Sequence, residues 1–249
     1  MKINDNSRLE ELIKDKGNPE VRREILDVLY YSRLLLPVVF RKCRNPDDLA
    51  GQFGFDVVDV PDGDGEMTVP LFTSKAIAES NHLKCTAIEI DMGDLAELIK
   101  QSDKYSSVTI NIFTKHYLEL PLDEFLGIFG IVANHKIKDI ENEKLRQMLK
   151  NEFSEDELYS EIKDLPLISP WVDEESGPAH EFTYDKNDNE YFPLFTDLDE
   201  FEKVFGNDKE VYPQAYTFSR SAELTKDDMV INPASESVFL NRKDMLQER

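Results

Sequence analysis

One segment of this chain has the makings of a nucleophile. Arg41-Lys42-Cys43-Arg44 is its only dense basic cluster, and cationic neighbours lower a thiol pKa toward the reactive thiolate. Chemistry at Cys43 would be redox or sulfur transfer. Against it, no partner base stands at a recognisable spacing, and Asn45-Pro46 follows as a turn signal. Exposed cations are screened over about 8 Å at physiological salt. The residues therefore point to an ordinary loop cysteine with unexceptional reactivity, and a thiol enzyme at Cys43 ranks third among the functions weighed.

The four histidines, His82, His116, His135 and His180, are scattered, with no HExxH and no cysteine at ligand spacing. They read as surface or helix-end residues, and no metal site or cofactor is expected. Neither a Gly-x-Ser-x-Gly elbow nor a phosphate loop ending in Lys-Ser/Thr occurs, so the expectation is that the chain is not an enzyme and has no catalytic residues. Two acidic turns invite a calcium reading: Asp62, Asp64 and Glu66, and Asp185, Asn187 and Asn189. An EF-type loop needs glycine at position six and a bidentate Glu at position twelve. Counting from Asp185, those places hold Glu190 and Thr196, so both segments read as solvated hairpin turns. Phe72 and Phe195 could stack on a ligand, but each falls between a hairpin and a helix and reads as a core plug.

The elements that hold these residues come from a chain of 249 residues with 51 acidic and 29 basic side chains, a net charge of -22. Its apolar share of 40% is enough for a packed core. So acidic a chain repels phosphate backbones and anionic lipid, so neither nucleic acid nor a membrane surface is expected as partner. Two cysteines make no disulfide framework, and a reducing cytoplasm fits. Met1 to Leu12 lacks the apolar run of a secretory signal. The longest apolar stretches, Leu34 to Phe40 and Phe125 to Ala133, are far short of the roughly 20 residues that span a bilayer.

Internal similarity is the strongest organisational signal. Leu29-Tyr30 and Leu36-Pro37 return as Leu158-Tyr159 and Leu165-Pro166 at an offset of 129. Pro70-Leu71-Phe72-Thr73 returns as Pro193-Leu194-Phe195-Thr196 at 123, and Ile110-Asn111 as Ile231-Asn232 at 121. Three matches in one order predict two tandem copies of one mixed domain, residues 1–130 and 131–249, each a small, mostly antiparallel sheet with flanking helices: an α+β fold. The first half carries 15 basic and 23 acidic residues, the second 14 and 28, so the second copy is the more acidic.

Within copy one, Asn18-Pro19 predicts a helix start, Arg33 to Phe40 a buried strand, and Phe55 to Val60 with Glu66 to Val69 a hairpin across the turn from Pro61 to Gly65. A helix capped at Thr73 or Ser74, a strand from Cys85, an amphipathic helix over Asp94 to Gln101 and a strand from Val108 follow. Copy two shows Glu181 to Tyr184 and Glu190 to Phe192 around a polar turn, a helix capped at Thr196 or Asp197, and strands at Tyr212 to Phe218 and Met229 to Ile231. Ile137, Ile140, Leu145 and Met148 at helical spacing predict a leading helix for this copy.

The order of Leu-Tyr, Leu-Pro-Val, a hairpin, Pro-Leu-Phe-Thr-Ser and an Ile-Asn strand resembles the N-terminal domain of the SseB (enhanced serine sensitivity) family, over about residues 19–129 and more weakly 155–246. Asn232-Pro233 follows the family's Asn-Pro pattern, whereas Asn111 is followed by Ile112 and departs from it. The resemblance implies a bacterial cytoplasmic domain without an established catalytic activity. The leading expectation is thus a non-catalytic protein-interaction or regulatory module with an unidentified protein partner. The alternative is an amino-acid or small-metabolite sensor.

Overall fold

Asn18 and Pro19 start the first long helix by two local devices. Proline has no N–H to leave unpaired at a helix start and a preset φ, while the Asn18 side chain accepts the Glu20 amide at 3.0 Å. Ser154 does the same service later in the chain: its hydroxyl accepts the Glu157 amide, and the Glu157 carboxylate accepts the Ser154 amide, a complete capping box. The computed structural model describes residues 6–40, 55–61, 65–80, 85–174 and 177–242. Cys43, His82, Asp62 and Asp64 lie outside the described residues. The chain divides into two compact units, residues 1–129 and 130–249.

Unit 1 runs α1 (Ser7–Ile13), α2 (Pro19–Tyr30), β1 (Arg33–Phe40), β2 (Phe55–Val57), β3 (Val60–Pro61), β4 (Met67–Leu71), α3 (Lys75–Ser80), β5 (Thr86–Asp91), α4 (Met92–Ile99), β6 (Tyr105–Ile110), β7 (Leu118–Pro121) and α5 (Leu122–Ile128). An antiparallel sheet has the order β2-β1-β5, and a mixed sheet the order β3-β4-β6-β7 with β4 and β6 parallel. Alternation along β1 buries Leu34, Leu36 and Val38, and Ile25, Leu29, Val69 and Phe125 of the same unit are buried as well. The two sheets meet where Leu35 and Phe72 exchange backbone N–H to O=C bonds, both 2.9 Å.

Unit 2 begins with a 3-10 helix (Asn134–Asp139) and runs α6 (Glu143–Leu149), α7 (Glu155–Ile162), β8 (Pro166–Glu174), β9 (Gly177–His180), β10 (Thr183–Tyr184), β11 (Glu190–Leu194), α8 (Leu198–Phe205), β12 (Tyr212–Thr217), α9 (Phe218–Leu224), β13 (Met229–Ile231) and β14 (Val238–Leu240). Its sheets have the orders β12-β8-β9 and β10-β11-β13-β14, with β11 and β13 parallel. They meet where Ile168 and Phe195 exchange backbone bonds of 2.9 and 2.8 Å. One core forms around Leu145, Leu158, Phe192, Phe218 and Ile231, and a second around Ile168, Phe195, Phe201 and Phe205.

The mixed α+β class is therefore what the chain adopts, with small antiparallel and mixed sheets. Several local expectations need correction. The hairpin expected over residues 55–69 is split: Phe55–Val57 pairs with β1, and only Val60–Pro61 pairs with β4. Leu36-Pro37 lies in the middle of β1 while Pro166 opens β8, so that pair shares a spacing and not a place in the sheet. The helix expected over 94–101 spans Met92–Ile99 because the Asp91 side chain caps it through the Gly93 amide. The leading helix of unit 2 is two pieces, since Ile140 is extended between them.

Candidate functional site

Each Pro-Leu-Phe-Thr segment ends on a clamped threonine. In unit 1, Asn111 Oδ1 accepts the Thr73 amide at 3.0 Å and Asn111 Nδ2 donates to the Thr73 hydroxyl at 3.0 Å. Asn6 Nδ2 donates to the carbonyls of Thr73 and Arg33, and the Thr73 hydroxyl donates to Glu10 at 2.6 Å. In unit 2, Asn232 Oδ1 accepts the Thr196 amide and Asn232 Nδ2 donates to the Thr196 hydroxyl, both at 3.1 Å. Asn142 Nδ2 donates to the carbonyls of Thr196 and Pro166, and the Thr196 hydroxyl donates to Asp197. Asn111 and Asn232 both have positive φ, 55° and 49°, a conformation asparagine tolerates better than most residues. The departure at Ile112 has no effect on this role. These are scaffolds that leave no free polar group on the threonines.

The residues flagged for chemistry do not converge. Phe72 and Phe195 are fully buried. His116 and His135 are exposed, whereas His180 packs its ring 3.9 Å from Trp171 and 4.7 Å from Phe192. Cys85 is a free, partly covered thiol whose pKa burial pushes up, away from thiolate. Among the described residues no group of three His, Cys, Asp or Glu side chains is placed to hold a metal. Asp185 is spent inside its own turn. Its Oδ1 accepts the amides of Asn187 and Asn189 at 2.7 and 3.0 Å, and its Oδ2 accepts from Asn189 Nδ2 at 2.9 Å. Those bonds, the Asn189 side chain first, hold its pKa below the usual carboxylate value.

That same turn walls a cleft of about 450 Å³ in unit 2. Alternation along the mixed sheet sends Phe192, Leu194, Met229 and Ile231 into the core, while Tyr191, Val230 and Phe239 face the other way. Tyr184, Asp185 and Pro233 complete the wall. Tyr184 is 61% and Phe239 53% exposed. The rings of Tyr191 and Phe239 meet edge to face at 4.8 Å. The Tyr184 hydroxyl donates to Glu190 at 2.9 Å, which raises its pKa. Tyr191 is raised by desolvation and then by the fields of Asp185 and Asp228. Both phenols stay neutral at physiological pH, so the cleft offers neutral aromatic faces, with Asp185 and Lys186 as the charged groups among its lining residues.

Sequence reasoning flagged Asp185 and Asn187 for calcium and missed the cleft they border. The signal was available in Val238–Leu240, where an aromatic stands between two inward aliphatics.

Among the described residues no helix is long and apolar enough to cross a membrane. No curated protein matches the chain. Among solved structures, Anabaena Tic22 (protein transport) is similar at 13% identity over 88% of each chain, with a TM-score of 0.22, a value that carries no argument about fold or role. Residues 8–125, within unit 1, match the family model of the SseB protein N-terminal domain.

Proposed function

We propose that this chain is a non-catalytic interaction module of the cytoplasm, built from one SseB-like domain used twice, which captures a basic segment of a protein partner in the aromatic cleft of unit 2. The observation that carries the reading is the cleft itself: exposed Tyr184 and Phe239 beside Tyr191, with Asp185 in the wall. Large exposed aromatics on a soluble surface mark interaction sites, and tyrosine is enriched at interface hot spots. A guanidinium or ammonium gains from an aromatic face and from the field of a chain whose net charge is -22. Support for the duplication is geometric, in the paired sheet orders, the Leu35/Phe72 and Ile168/Phe195 bridges, and the Thr73 and Thr196 clamps.

The test is an array of short peptides of graded charge probed with the wild-type protein and a Tyr184→Ala/Phe239→Ala double variant. Basic peptides should bind and neutral or acidic ones should not. The double variant should lose about tenfold or more in affinity, the scale of hot-spot truncation. Equal binding by both proteins contradicts the reading.

A further inference from the structure

An open sheet leaves backbone groups unpaired along its edges, and the two units treat one such edge differently. In unit 2 the chain covers the edge of β12 itself. Ile131 bridges antiparallel to Tyr216, the Val132 amide donates to the Ala215 carbonyl at 3.1 Å, and the Thr217 amide donates to the Gly130 carbonyl at 2.8 Å. Ile131 is 3% exposed and Tyr216 is fully buried. In unit 1 the same place belongs to β5, which pairs with β1 on one side only. The sheet bridges set the correspondence: Leu35 and Ile168 make equivalent bonds to Phe72 and Phe195, and they stand opposite Glu89 and Ala215. Both edge strands also run straight into a helix that they cap, Asp91 through the Gly93 amide and Thr217 through the Arg220 amide.

What β5 presents outward follows from its register. Leu35 spends its N–H and C=O on Phe72, Pro37 gives its C=O to Val58, and Arg33 gives its C=O to Asn6. Their opposite numbers Glu89, Ala87 and Asp91 therefore have no bond to make on β1, and in an antiparallel ladder such residues turn their backbone groups to the other side. Among the described residues nothing takes the N–H or C=O of Ala87 and Glu89, or the N–H of Asp91. Ala87 and Glu89 are exposed, and Ile90, at the place of the buried Tyr216, is only partly covered.

We propose that β5 is a docking edge to which a protein partner adds one extended antiparallel strand, apolar opposite Ile90 and basic opposite Glu89. The register of that strand rests on reading the two units as copies of one domain. In unit 2 the segment from Gly130 to Val132 supplies the backbone bonds, and Ile131 supplies the apolar side chain over the place of Ile90. Strand addition of this kind draws affinity from main-chain bonds and specificity from alternate side chains. Charge decides where the strand comes from. Thr86–Asp91 carries two carboxylates and no cation. Asp91 has Arg33 at 3.9 Å, whereas the exposed Glu89 has no ion-pair partner among the described residues. A second copy of β5 would set carboxylates against carboxylates, which a ladder disfavours and which guards an edge against self-pairing. A lysine or arginine opposite Glu89 pairs with it instead.

The probe is the blocked pentapeptide acetyl-Thr-Ile-Lys-Val-Thr-amide. It is titrated into the full-length Tyr184→Ala/Phe239→Ala variant, so that the cleft of unit 2 takes no part, and followed by amide NMR. Saturable shifts at Ala87, Glu89 and Asp91 are expected; a spectrum unchanged at millimolar peptide overturns the docking edge and leaves the cleft standing. N-methylation of the peptide's lysine removes the donor that answers to the Val132 amide and should weaken binding by about tenfold or more. N-methylation of its isoleucine, whose N–H points away from β5, should leave binding unchanged. Loss with the isoleucine form and not with the lysine form keeps the edge and overturns the register taken from unit 2. Exchanging the peptide's lysine for glutamate should weaken binding, and Glu89→Lys, at an exposed position, should reverse that preference. A preference unmoved by Glu89→Lys overturns the basic occupant. Sedimentation of the protein alone should show no dimer through this edge, and a dimer that the peptide dissociates overturns the partner strand in favour of a second copy.

Discussion

Asn232 holds Thr196 by both ends of its side-chain amide, accepting the backbone N–H through Oδ1 and donating to the hydroxyl through Nδ2, each at 3.1 Å. Both residues are fully buried, so neither bond can be replaced by solvent. The pair fixes the chain where β11 leaves the sheet and where Asp197 caps α8 through the Glu200 amide. Asn232→Ala leaves that amide without its acceptor and keeps a side chain at φ 49°. A stranded buried donor costs about 1–3 kcal/mol, and the left-handed conformation adds about 1 kcal/mol for alanine. Denaturant melts should show a loss of about 2–4 kcal/mol for Asn232→Ala, and Asn232→Gly should be milder by about 1 kcal/mol.

Phe195→Ala removes a fully buried ring that contacts two others. The expected loss is about 3–5 kcal/mol, the usual range for deleting a core aromatic. Phe72→Ala should sit at the low end of that range, because Phe72 already borders a cavity and the size of the void left behind sets the penalty. Chemical denaturation of the two variants side by side checks the order.

Tyr212 has its phenol pKa pushed up to about 12, by desolvation first and then by its hydrogen bond to Asp173 at 2.8 Å. The folded state thus keeps the proton longer than an unfolded tyrosine of pKa about 10. The stability this provides is complete below about pH 10 and is lost as pH rises through the folded value. Absorbance titration of tyrosinate, wild type minus Tyr212→Phe, should isolate one late-titrating group. A difference curve centred near pH 10 contradicts the assignment.

Much of the scaffold could be read from residue order. Asn18-Pro19 and Ser154 mark helix starts because capping is local chemistry, and β1 is legible because Leu34, Leu36 and Val38 alternate. The splitting of Phe55–Val57 from Val60–Pro61 was not legible, since partner choice between two sheets depends on where β1 and β4 lie in space. The parallel pairing of β4 with β6 was hidden for the same reason. The aromatic cleft escaped because Tyr184, Tyr191 and Phe239 meet only after β14 has returned to the sheet. Asp185 was flagged for its charge, yet its work is to shape the turn beside them.

Phe239 is half exposed and stands at the sheet edge, where its one ring contact is edge to face with Tyr191, so Phe239→Ser should lower stability by only about 0.5–1.5 kcal/mol, the worth of such a pair. Its effect belongs to binding. Calorimetric melts and peptide titrations on the same preparation separate the two, and a large loss of melting temperature contradicts a role confined to the surface.

The most direct measurement places a photo-crosslinking amino acid at position 239 of the full-length protein in its native host, with the exposed Glu202 position as control. Mass spectrometry then identifies the residues joined to it. The account predicts one dominant protein partner, joined through a lysine- or arginine-bearing segment, from position 239 and not from 202, with the yield falling as salt rises. No adduct at 239, or adducts equally abundant at 202, would contradict the claim that the aromatic cleft of unit 2 is where this protein meets its partner.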